Sequence, residues 1–247
     1  YCRMFEVEDR HWWYVALHEL IVRTVREEHA RKGPLTMLDA GCGTGGLLRQ
    51  LSGFGQASGC DASRDALSFC RKRSLEHVRK ADLNTVELSR DQFDLITSID
   101  VLYHRDIRNE IDILSKLFAA LKPDGVLIFQ VPAFESLRST HDVAVHTGKR
   151  YRLQEVIKMI QEAGFVVEQA TYRVGILFPP IAAYRFAERM MGRRTAKRAL
   201  HSDVWMPVWP INRVLLAIMR SENRLFRHVS LPFGTSVYAV ARKQPGP

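Results

Sequence analysis

Short apolar runs and longer helical patterns alternate along the first two thirds of the chain. Between His11 and Glu28 the apolar residues recur at helical spacing, and Gly33-Pro34 ends that segment. Five apolar runs of strand length follow, with helical patterns between them. These predicted strands cover residues 36–40, 57–60, 78–81, 93–98 and 126–131. Strands that alternate with helices predict an α/β fold, with a parallel sheet covered by helices on both faces.

The last third of the chain departs from this alternation. A predicted helix at 153–163 and a strand at 165–172 are followed by about sixty residues before the final predicted strand at 236–241. The intervening residues are rich in Pro, Trp, Met and Arg and show helical spacing around 181–190 and 211–220. We therefore predict a core of residues 1–172 and 233–247, with a helical cap, residues 173–232, inserted between the last two strands.

Composition and charge narrow the class of protein. The apolar fraction of 46% and charged fraction of 26% are those of a globular chain. The longest apolar stretches are shorter than the ~18 residues needed to span a bilayer, so no transmembrane helix is expected. Four cysteines without CxxC spacing indicate a reducing cytoplasm. The net charge of +9 is local, because residues 185–200 carry six basic side chains against one acidic side chain. Such a run is typical of a solvated helix face, and it also suits nucleic acid or an anionic membrane.

The strongest local signal is a glycine-rich turn between the first predicted strand and a helix. It reads Leu38-Asp39-Ala40-Gly41-Cys42-Gly43-Thr44-Gly45-Gly46. Glycines permit positive φ and let the backbone approach a ligand closely. The spacing satisfies both GxGxxG and GxGxG, so the glycines alone do not name the ligand. Asp39 favours one ligand class, because a carboxylate here opposes a dinucleotide pyrophosphate and suits a cationic ammonium.

Two further acids follow the next two predicted strands. Asp61, twenty residues after Gly41, can accept hydrogen bonds from ribose hydroxyls, and Asp82 can accept one from an adenine amino group. Three acids at successive strand ends suit adenosine with a positively charged tail. The plain alternatives are a tight structural turn at the glycines and a surface turn at Asp82.

In order and spacing, these features resemble class I S-adenosylmethionine-dependent methyltransferases over residues 35–172 and the last strand. The family's D/E-x-G-x-G-x-G loop is matched by residues 39–45, and its fourth-strand motif by residues 93–104. The resemblance implies a Rossmann-like seven-stranded methyltransferase sheet of order 3-2-1-4-5-7-6 with the last strand antiparallel, and no metal site is predicted. The residues expected to bind the cofactor, S-adenosyl-L-methionine, are Asp39, Gly41, Gly43, Gly45, Asp61, Asp82, Ser98 and Asp100.

Methyl transfer depends mainly on alignment, but a hydroxyl acceptor benefits from a base that titrates near pH 7. Histidine is the natural choice, and His141 and His146 lie in a loop after the fifth predicted strand. The carboxyl ends of strands four and five are expected to face the transferred methyl. We predict His141 as the base, oriented by Asp142, with His146 as the alternate. The plain alternative is a loop that caps the following helix.

The same stretch resembles a bacterial methyltransferase subgroup found with polysaccharide and secondary-metabolite genes. The matching residues are His141-Asp142, His146 and Lys149-Arg150-Tyr151, together with residues 8–13 and 231–236. This resemblance implies transfer to oxygen of a small-molecule or carbohydrate-like acceptor. The residues expected to contact the acceptor are Trp12, Tyr14, His104, Arg150 and Tyr151. Their plain alternatives are core or lid aromatics and a capping histidine.

Two other functions stay open. An RNA or protein methyltransferase would dock through the basic segment, although no Asn/Asp-Pro-Pro-Tyr motif follows the fourth strand, which disfavours nucleic acid. A non-catalytic cofactor-binding subunit is disfavoured by the three acids. We expect a cytoplasmic biosynthetic enzyme whose cap contacts the inner face of a membrane peripherally, where lipid-carried sugars would be presented. The sequence leaves the oligomeric state open.

Overall fold

Seven strands form one sheet in the computed structural model, which describes residues 1–139, 142–143, 145–190, 206–226 and 229–244. The spatial order β3-β2-β1-β4-β5-β7-β6 confirms the predicted order, and β7 runs antiparallel to both of its neighbours. The strands are β1 (Leu35–Ala40), β2 (Gly55–Asp61), β3 (Val78–Lys80), β4 (Phe93–Ile99), β5 (Leu121–Pro132), β6 (Val166–Arg173) and β7 (Ser236–Arg242).

Helices cover both faces of the sheet and bury one apolar core on each. In the described part of the chain they are α1 (Cys2–Val7), α2 (Trp12–Lys32), α3 (Gly46–Leu51), α4 (Arg64–Lys72), α5 (Glu110–Ala120), α6 (Leu153–Glu162), α7 (Phe178–Met190) and α8 (Trp209–Leu225). One core lies under α5 and α6, and the other under α2, α3 and α4. Burial on both faces explains why the central strands read as nearly continuous apolar runs.

Two element boundaries differ from the prediction, and each has a local cause. Residues 121–125 precede the predicted strand at 126–131 but belong to β5, because Asp124 donates its N–H to Lys243 at 2.8 Å and Lys243 donates back to Gly125 at 2.9 Å. The helix between the fourth and fifth strands begins only at Glu110, although its helical pattern in the sequence starts at Ile107. Asn109 caps it, since its side-chain oxygen accepts the N–H groups of Ile111 and Asp112.

The segment between β6 and β7 supplies α7 and α8. Both helices turn apolar side chains toward α2, in a small cluster that includes Leu177, Ile181, Leu216 and Met219. Asn212 also joins α8 to the start of α2, because it accepts the Trp12 N–H at 2.9 Å and donates to the Arg10 carbonyl at 2.9 Å. The division into core and cap stays a prediction. Residues 191–205, which hold much of the basic run, lie outside the described residues.

None of the described helices combines the length and the apolar character needed to cross a membrane.

Candidate active site

The three acids predicted to hold the cofactor line one edge of the sheet. Asp39 is the penultimate residue of β1, Asp61 ends β2, and Asp82 lies two residues beyond β3. These strands are adjacent and parallel, so their carboxyl ends meet at the same edge. The structure thus brings the acids into a row beside the glycine loop, at the edge where ligands bind in open α/β sheets.

The glycine loop between β1 and α3 is held tightly against β2. Gly41 and Cys42 both donate their N–H groups to the Cys60 carbonyl, at 2.8 and 3.0 Å. Gly41, Gly43 and Gly45 all adopt positive φ. A Cβ at Gly41 would lie 2.2 Å from Val101 Cγ2, so a larger residue would force the loop and the segment after β4 apart. The glycines are therefore required by this turn and by its close approach to the next loop.

The Asp39 carboxyl is almost completely buried, at 3% exposure, and accepts a 2.7 Å hydrogen bond from the Thr97 hydroxyl. Burial raises its pKa to about 7, and the charges of Asp61 and Glu8 act in the same direction. A buried carboxyl that ionises with difficulty gains from a cationic ligand. Asp39 thus has the electrostatics expected of a group that binds an ammonium.

Asp61 and Asp82 are held differently. Asp61 accepts the Gly43 N–H at 2.9 Å and the Ser63 N–H at 2.8 Å, which fixes its carboxylate between the loop and α4. Burial raises its pKa, while these backbone hydrogen bonds act in the opposite direction. Asp82 is exposed and accepts two hydrogen bonds from Asn84, at 2.9 and 2.8 Å. One acid is therefore rigid and partly enclosed, and the other lies on an exposed turn at the end of the row.

The N-terminal segment forms one wall of the site, which the sequence did not predict. Glu8 is 1% exposed and accepts a 2.5 Å hydrogen bond from the Thr44 hydroxyl. It also forms a 2.5 Å ion pair with Arg73. Arg73 also donates to the Thr44 carbonyl at 3.0 Å and to Asp9 at 2.9 Å. These contacts join α1 and α4 through the glycine loop. Glu8 was noted only as part of an aromatic-rich start, because its partners lie 36 and 65 residues away.

A polar cluster follows β4 on the other side of Asp39. The Asp100 carboxylate accepts a 2.8 Å hydrogen bond from Gln130 of β5, and burial raises its pKa to about 6. Burial also raises the pKa of Tyr14 and of Tyr103, and the charge of Asp100 contributes to both shifts. Asp100, Tyr14 and Tyr103 therefore share one enclosed neighbourhood. Tyr103 was not predicted as a site residue, although it stands directly before His104 at the end of the fourth-strand motif.

Arg173, at the end of β6, adds a buried positive charge near this cluster. Its side chain is fully buried, and Nη2 donates to the Trp13 carbonyl at 3.3 Å. Burial lowers its pKa to about 10, while the charges of Glu222 and Asp100 oppose that shift. Its Nε and Nη1 atoms have no hydrogen-bond partner among the described residues, and the same is true of the buried Ser98 hydroxyl. Sequence reasoning missed Arg173, which appears there only as the first residue of the predicted cap.

The loop after β5 lies over the loop after β4, but its histidines are only partly described. Thr147 pairs with His104 in an isolated antiparallel bridge, and Gly148 donates to the Tyr103 carbonyl at 2.8 Å. The exposed His146 sets its ring edge-on to His104, with centroids 5.6 Å apart. The charge of His104 acts to lower the pKa of Asp61, against the effect of burial. His141 lies outside the described residues, so its predicted role as the base stays a prediction.

Asp142 is held by the two ends of this loop in the described part of the chain, and its predicted role in orienting His141 stays a prediction. Its carboxylate accepts the Arg150 Nε at 2.7 Å and Nη2 at 3.2 Å, and also the Ser139 N–H at 2.7 Å. Arg150 further donates to the Ala133 carbonyl at 2.8 Å. The Asp142–Arg150 pair is nearly buried, at 1% and 11% side-chain exposure. Both side chains are thus engaged in holding the loop, which opposes the predicted contact between Arg150 and the acceptor.

The other predicted acceptor contacts divide in the same way. Tyr151 is 1% exposed and donates its hydroxyl to Glu110 at 2.6 Å, so it belongs to the apolar core and not to a substrate surface. Trp12 packs with the cluster that joins α2 to α7 and α8. His104 accepts the Asp106 N–H at 3.3 Å, as a residue that stabilises its own turn. Tyr14 belongs to the Asp100 cluster, since the charge of Asp100 contributes to its raised pKa.

The donor set at this edge fits S-adenosylmethionine. Asp39 would offer a buried carboxyl to the ammonium, Asp61 a fixed carboxylate to the ribose, and Asp82 an exposed acceptor at the end of the row. When bound, this cofactor supplies an electrophilic methyl group on a sulfonium. The protein then has to align an acceptor with that methyl and exclude water.

A comparison with protein families finds a match to a methyltransferase domain over residues 10–170. Among curated proteins, the chain is 34% identical over 103 residues to a malonyl-[acyl-carrier protein] O-methyltransferase of Enterobacter lignolyticus, covering 41% of this chain and 40% of that protein. It is 31% identical over 128 residues to a tRNA U34 carboxymethyltransferase of Pseudoalteromonas translucida, covering 49% and 38%. A ubiquinone biosynthesis O-methyltransferase of Nitrosococcus oceani is 28% identical over 140 residues, covering 51% and 58%. The matches thus span only part of these relatives, and their acceptors differ.

Solved structures share the fold. An S-adenosylmethionine-dependent methyltransferase from Mesorhizobium loti superposes with a TM-score of 0.56 at 17% identity, covering 89% of this chain and 96% of that one. A Haemonchus contortus phosphoethanolamine N-methyltransferase 2, solved with S-adenosyl-L-methionine, gives 0.54 at 20% identity over 91% of this chain and 53% of that one. At these identities the likeness concerns architecture alone. With the family match and the row of acids, it leads to one conclusion: this chain belongs to the methyltransferase domain family and is an S-adenosylmethionine-dependent methyltransferase.

Proposed function

We propose that the protein transfers the methyl group to a hydroxyl oxygen of a small-molecule or carbohydrate-like acceptor. The observation that supports this proposal is the enclosed polar cluster after β4, where Asp100 lies with Tyr14 and Tyr103. This cluster follows the strand next to β1, and so borders the site of the cofactor's methionine end. An acceptor placed there would meet side chains that exchange hydrogen bonds with hydroxyl groups.

A hydroxyl acceptor must lose its proton as the oxygen–methyl bond forms and the carbon–sulfur bond breaks. Asp100 is a suitable recipient of that proton, because a buried carboxyl with a pKa of about 6 is mostly ionised at neutral pH yet more basic than an exposed one. Gln130 holds its carboxylate at 2.8 Å. Asp100 was predicted to bind the cofactor, and we now propose it as the base ahead of His141 and His146.

The enclosure favours a small acceptor group over RNA. Tyr14 and the buried Trp13 carbonyl face the cluster from α2, and the loop of residues 145–151 covers the segment after β4. A flat nucleic-acid surface would have to deliver a single flipped base into this space. RNA is nevertheless the competing acceptor class, since the relative from Pseudoalteromonas translucida is named for tRNA.

We propose a cytoplasmic enzyme that works beside the inner face of a membrane.

A methyl-transfer screen tests the proposal. Purified protein and methyl-labelled S-adenosylmethionine are incubated with sugar nucleotides, lipid-linked sugars, phenols, bulk tRNA and peptides, and labelled products are identified by mass spectrometry and NMR. The expected result is an O-methyl product from a hydroxylated small molecule. Label in tRNA or at a nitrogen, with none in the small molecules, would contradict the proposal.

A further inference from the structure

Exposed apolar side chains are concentrated between β6 and β7. Of the thirteen large apolar residues that are exposed in the described part of the chain, ten lie between residues 176 and 233. The apolar exposure is therefore a property of the cap and not of the surface in general. Six of these residues on or beside α7 and α8 define what we call the cap surface: Tyr184, Phe186, Val208, Trp209, Ile211 and Val214.

The cap surface faces outward because the two helices use their other sides for packing. One apolar cluster packs both helices against α2. It contains Leu177 and Ile181 at the start of α7 and Leu216 and Met219 of α8. The residues of the cap surface are between 50% and 67% exposed, with Trp209 the most exposed at 67%. Helices that pack on one side and expose apolar residues on the other present an amphipathic face.

Arginine side chains accompany this face in the described part of the chain. Arg213 lies over the Trp209 ring at 4.7 Å, and Arg185 lies over the Tyr184 ring at 5.8 Å. Arginine beside an exposed tryptophan or tyrosine suits the interface of a membrane, where the ring enters the headgroup layer and the guanidinium contacts phosphate.

The chemistry of the cap surface discriminates between its possible partners. RNA would use the basic residues and could stack bases on Trp209 or Tyr184, but it gains little from Ile211 and Val214, which are aliphatic. A second copy of the chain would bring an equal positive charge to the same face, and like charges repel. An anionic lipid surface uses both the apolar and the basic groups. Amphipathic helices of this kind lie in the plane of the bilayer surface.

We infer that the cap surface docks onto an anionic lipid bilayer, with Trp209, Val214 and Phe186 entering the headgroup layer. This inference rests on the membrane-proximal location in the proposed function and gives it a surface and a lipid class. It places the acceptor side of the enzyme next to the bilayer, because α8 packs against α2, which supplies Tyr14.

Vesicle co-sedimentation of the full chain tests the inference. The probes are vesicles of phosphatidylcholine alone and of phosphatidylcholine with about one third phosphatidylglycerol. The wild-type protein is expected to bind the anionic vesicles and to release when salt is raised from about 0.1 to 1 M, which shortens the Debye length from about 10 to 3 Å. The double variant Trp209→Ser/Val214→Ser is expected to bind about tenfold more weakly, because it removes apolar area that enters the bilayer. Val166→Ser, a 42% exposed valine at the opposite end of β6, is the matched control and should bind as the wild type does.

Each other outcome overturns the inference. Failure of the wild type to bind anionic vesicles at low salt does so directly, as does equal binding to neutral vesicles, and an equal loss in Val166→Ser removes the cap surface as the cause. Salt-dependent binding to RNA without vesicle binding would assign the surface to nucleic acid, and a dimer that the double variant abolishes would assign it to a second copy. Thermal stabilisation by S-adenosylhomocysteine, measured on the same samples, shows that each variant is folded. A failed methyl-acceptor screen with intact vesicle binding would reject the proposed reaction and leave the docking surface standing.

Discussion

Ionisation of the buried Asp39 carboxyl destabilises the free protein. It is buried beside the other acids Asp61 and Glu8, and its pKa is raised to about 7. A carboxyl whose folded pKa lies above its unfolded value contributes stability that is complete at low pH and is lost as pH rises through about 7. Asp39 should therefore make the free protein less stable at pH 8 than at low pH. A cofactor ammonium beside Asp39 would oppose this effect, because it would favour the ionised form of the carboxyl.

A pH series of S-adenosylhomocysteine binding by calorimetry checks this account. The affinity should rise from pH 5.5 to 7.5 by about tenfold, as Asp39 ionises near pH 7. Asp39→Asn should weaken binding, flatten this pH dependence and raise the melting temperature of the free protein at pH 8. A variant that is less stable at pH 8 and keeps the wild-type pH profile would show that Asp39 has another role.

Asp61 provides a second test at the level of single residues, because it holds the Gly43 and Ser63 N–H groups at 2.9 and 2.8 Å. S-adenosylhomocysteine at a hundredfold excess over its Kd should stabilise the protein by about 2.7 kcal/mol, and NAD should not. Asp61→Ala should remove most of that thermal shift. Asp65→Ala, an exposed acid on α4, is the control and should keep it. Equal stabilisation by NAD would refute the assignment of Asp39 and Asp61 to this cofactor.

At the level of elements, the loop after β5 is fastened by the Asp142–Arg150 pair. Burial acts to raise the pKa of Asp142, but hydrogen bonds and charge from Arg150 lower it overall. A depressed folded pKa contributes stability that is present above the unfolded value and is lost as pH falls through the folded value. Arg150→Met should therefore cost about 3 kcal/mol in urea unfolding at pH 7, with a smaller cost at acid pH. Lys158→Met, whose pair with Glu162 is exposed, should cost less than about 1 kcal/mol. Similar losses in both variants would show that the loop does not depend on this pair.

The loop after β5 and the segment after β4 each contain a candidate for the catalytic base. Asp100→Asn should lower kcat on the acceptor by about 10²- to 10⁴-fold without changing S-adenosylhomocysteine affinity tenfold. His146→Ala should change kcat little, since its ring packs against His104. His141→Ala decides the original prediction. A large loss of kcat there, with Asp100→Asn unaffected, would restore the histidine as the base.

Local patterns in the sequence predicted the elements of this fold, while the walls of the site depend on contacts between distant residues. Each strand end that carries an acid follows an apolar run, so the row of Asp39, Asp61 and Asp82 could be derived from the order of elements. The contact between Glu8 and Arg73 spans 65 positions, and that between Trp13 and Arg173 spans 160. Neither has a periodic signal. Tyr151 shows the converse error, since a polar hydroxyl in a motif suggested substrate contact, whereas Glu110 holds it in the core.

At the scale of the whole molecule, the cap and the sheet are joined through buried charge. Glu222 of α8 is fully buried and accepts the N–H groups of Val174 and Ile176, at 2.6 and 2.9 Å, directly after β6. Its charge also opposes the lowering of the Arg173 pKa by burial. Arg173 in turn donates to the Trp13 carbonyl of α2. One carboxylate thus connects α8, the end of β6 and the start of α2. These are the elements that frame the Asp100 cluster on the acceptor side.

Removing the charge of Glu222 should therefore loosen the cap from the core. Glu222→Gln removes a charge that opposes the lowering of the Arg173 pKa and replaces one of the two carboxylate oxygens that accept backbone N–H groups with an NH2 group, so it should destabilise the protein by about 3 kcal/mol. Glu19→Gln breaks the exposed ion pair with Arg220, which also links α2 to α8, and should cost less than about 1 kcal/mol. Hydrogen exchange followed by mass spectrometry separates local from global effects. In Glu222→Gln, faster exchange is expected first in α8 and in the residues after β6, before β1 and β4. Uniform acceleration across the sheet, or an equal effect from Glu19→Gln, would mean that Glu222 does not act as the specific link between cap and core.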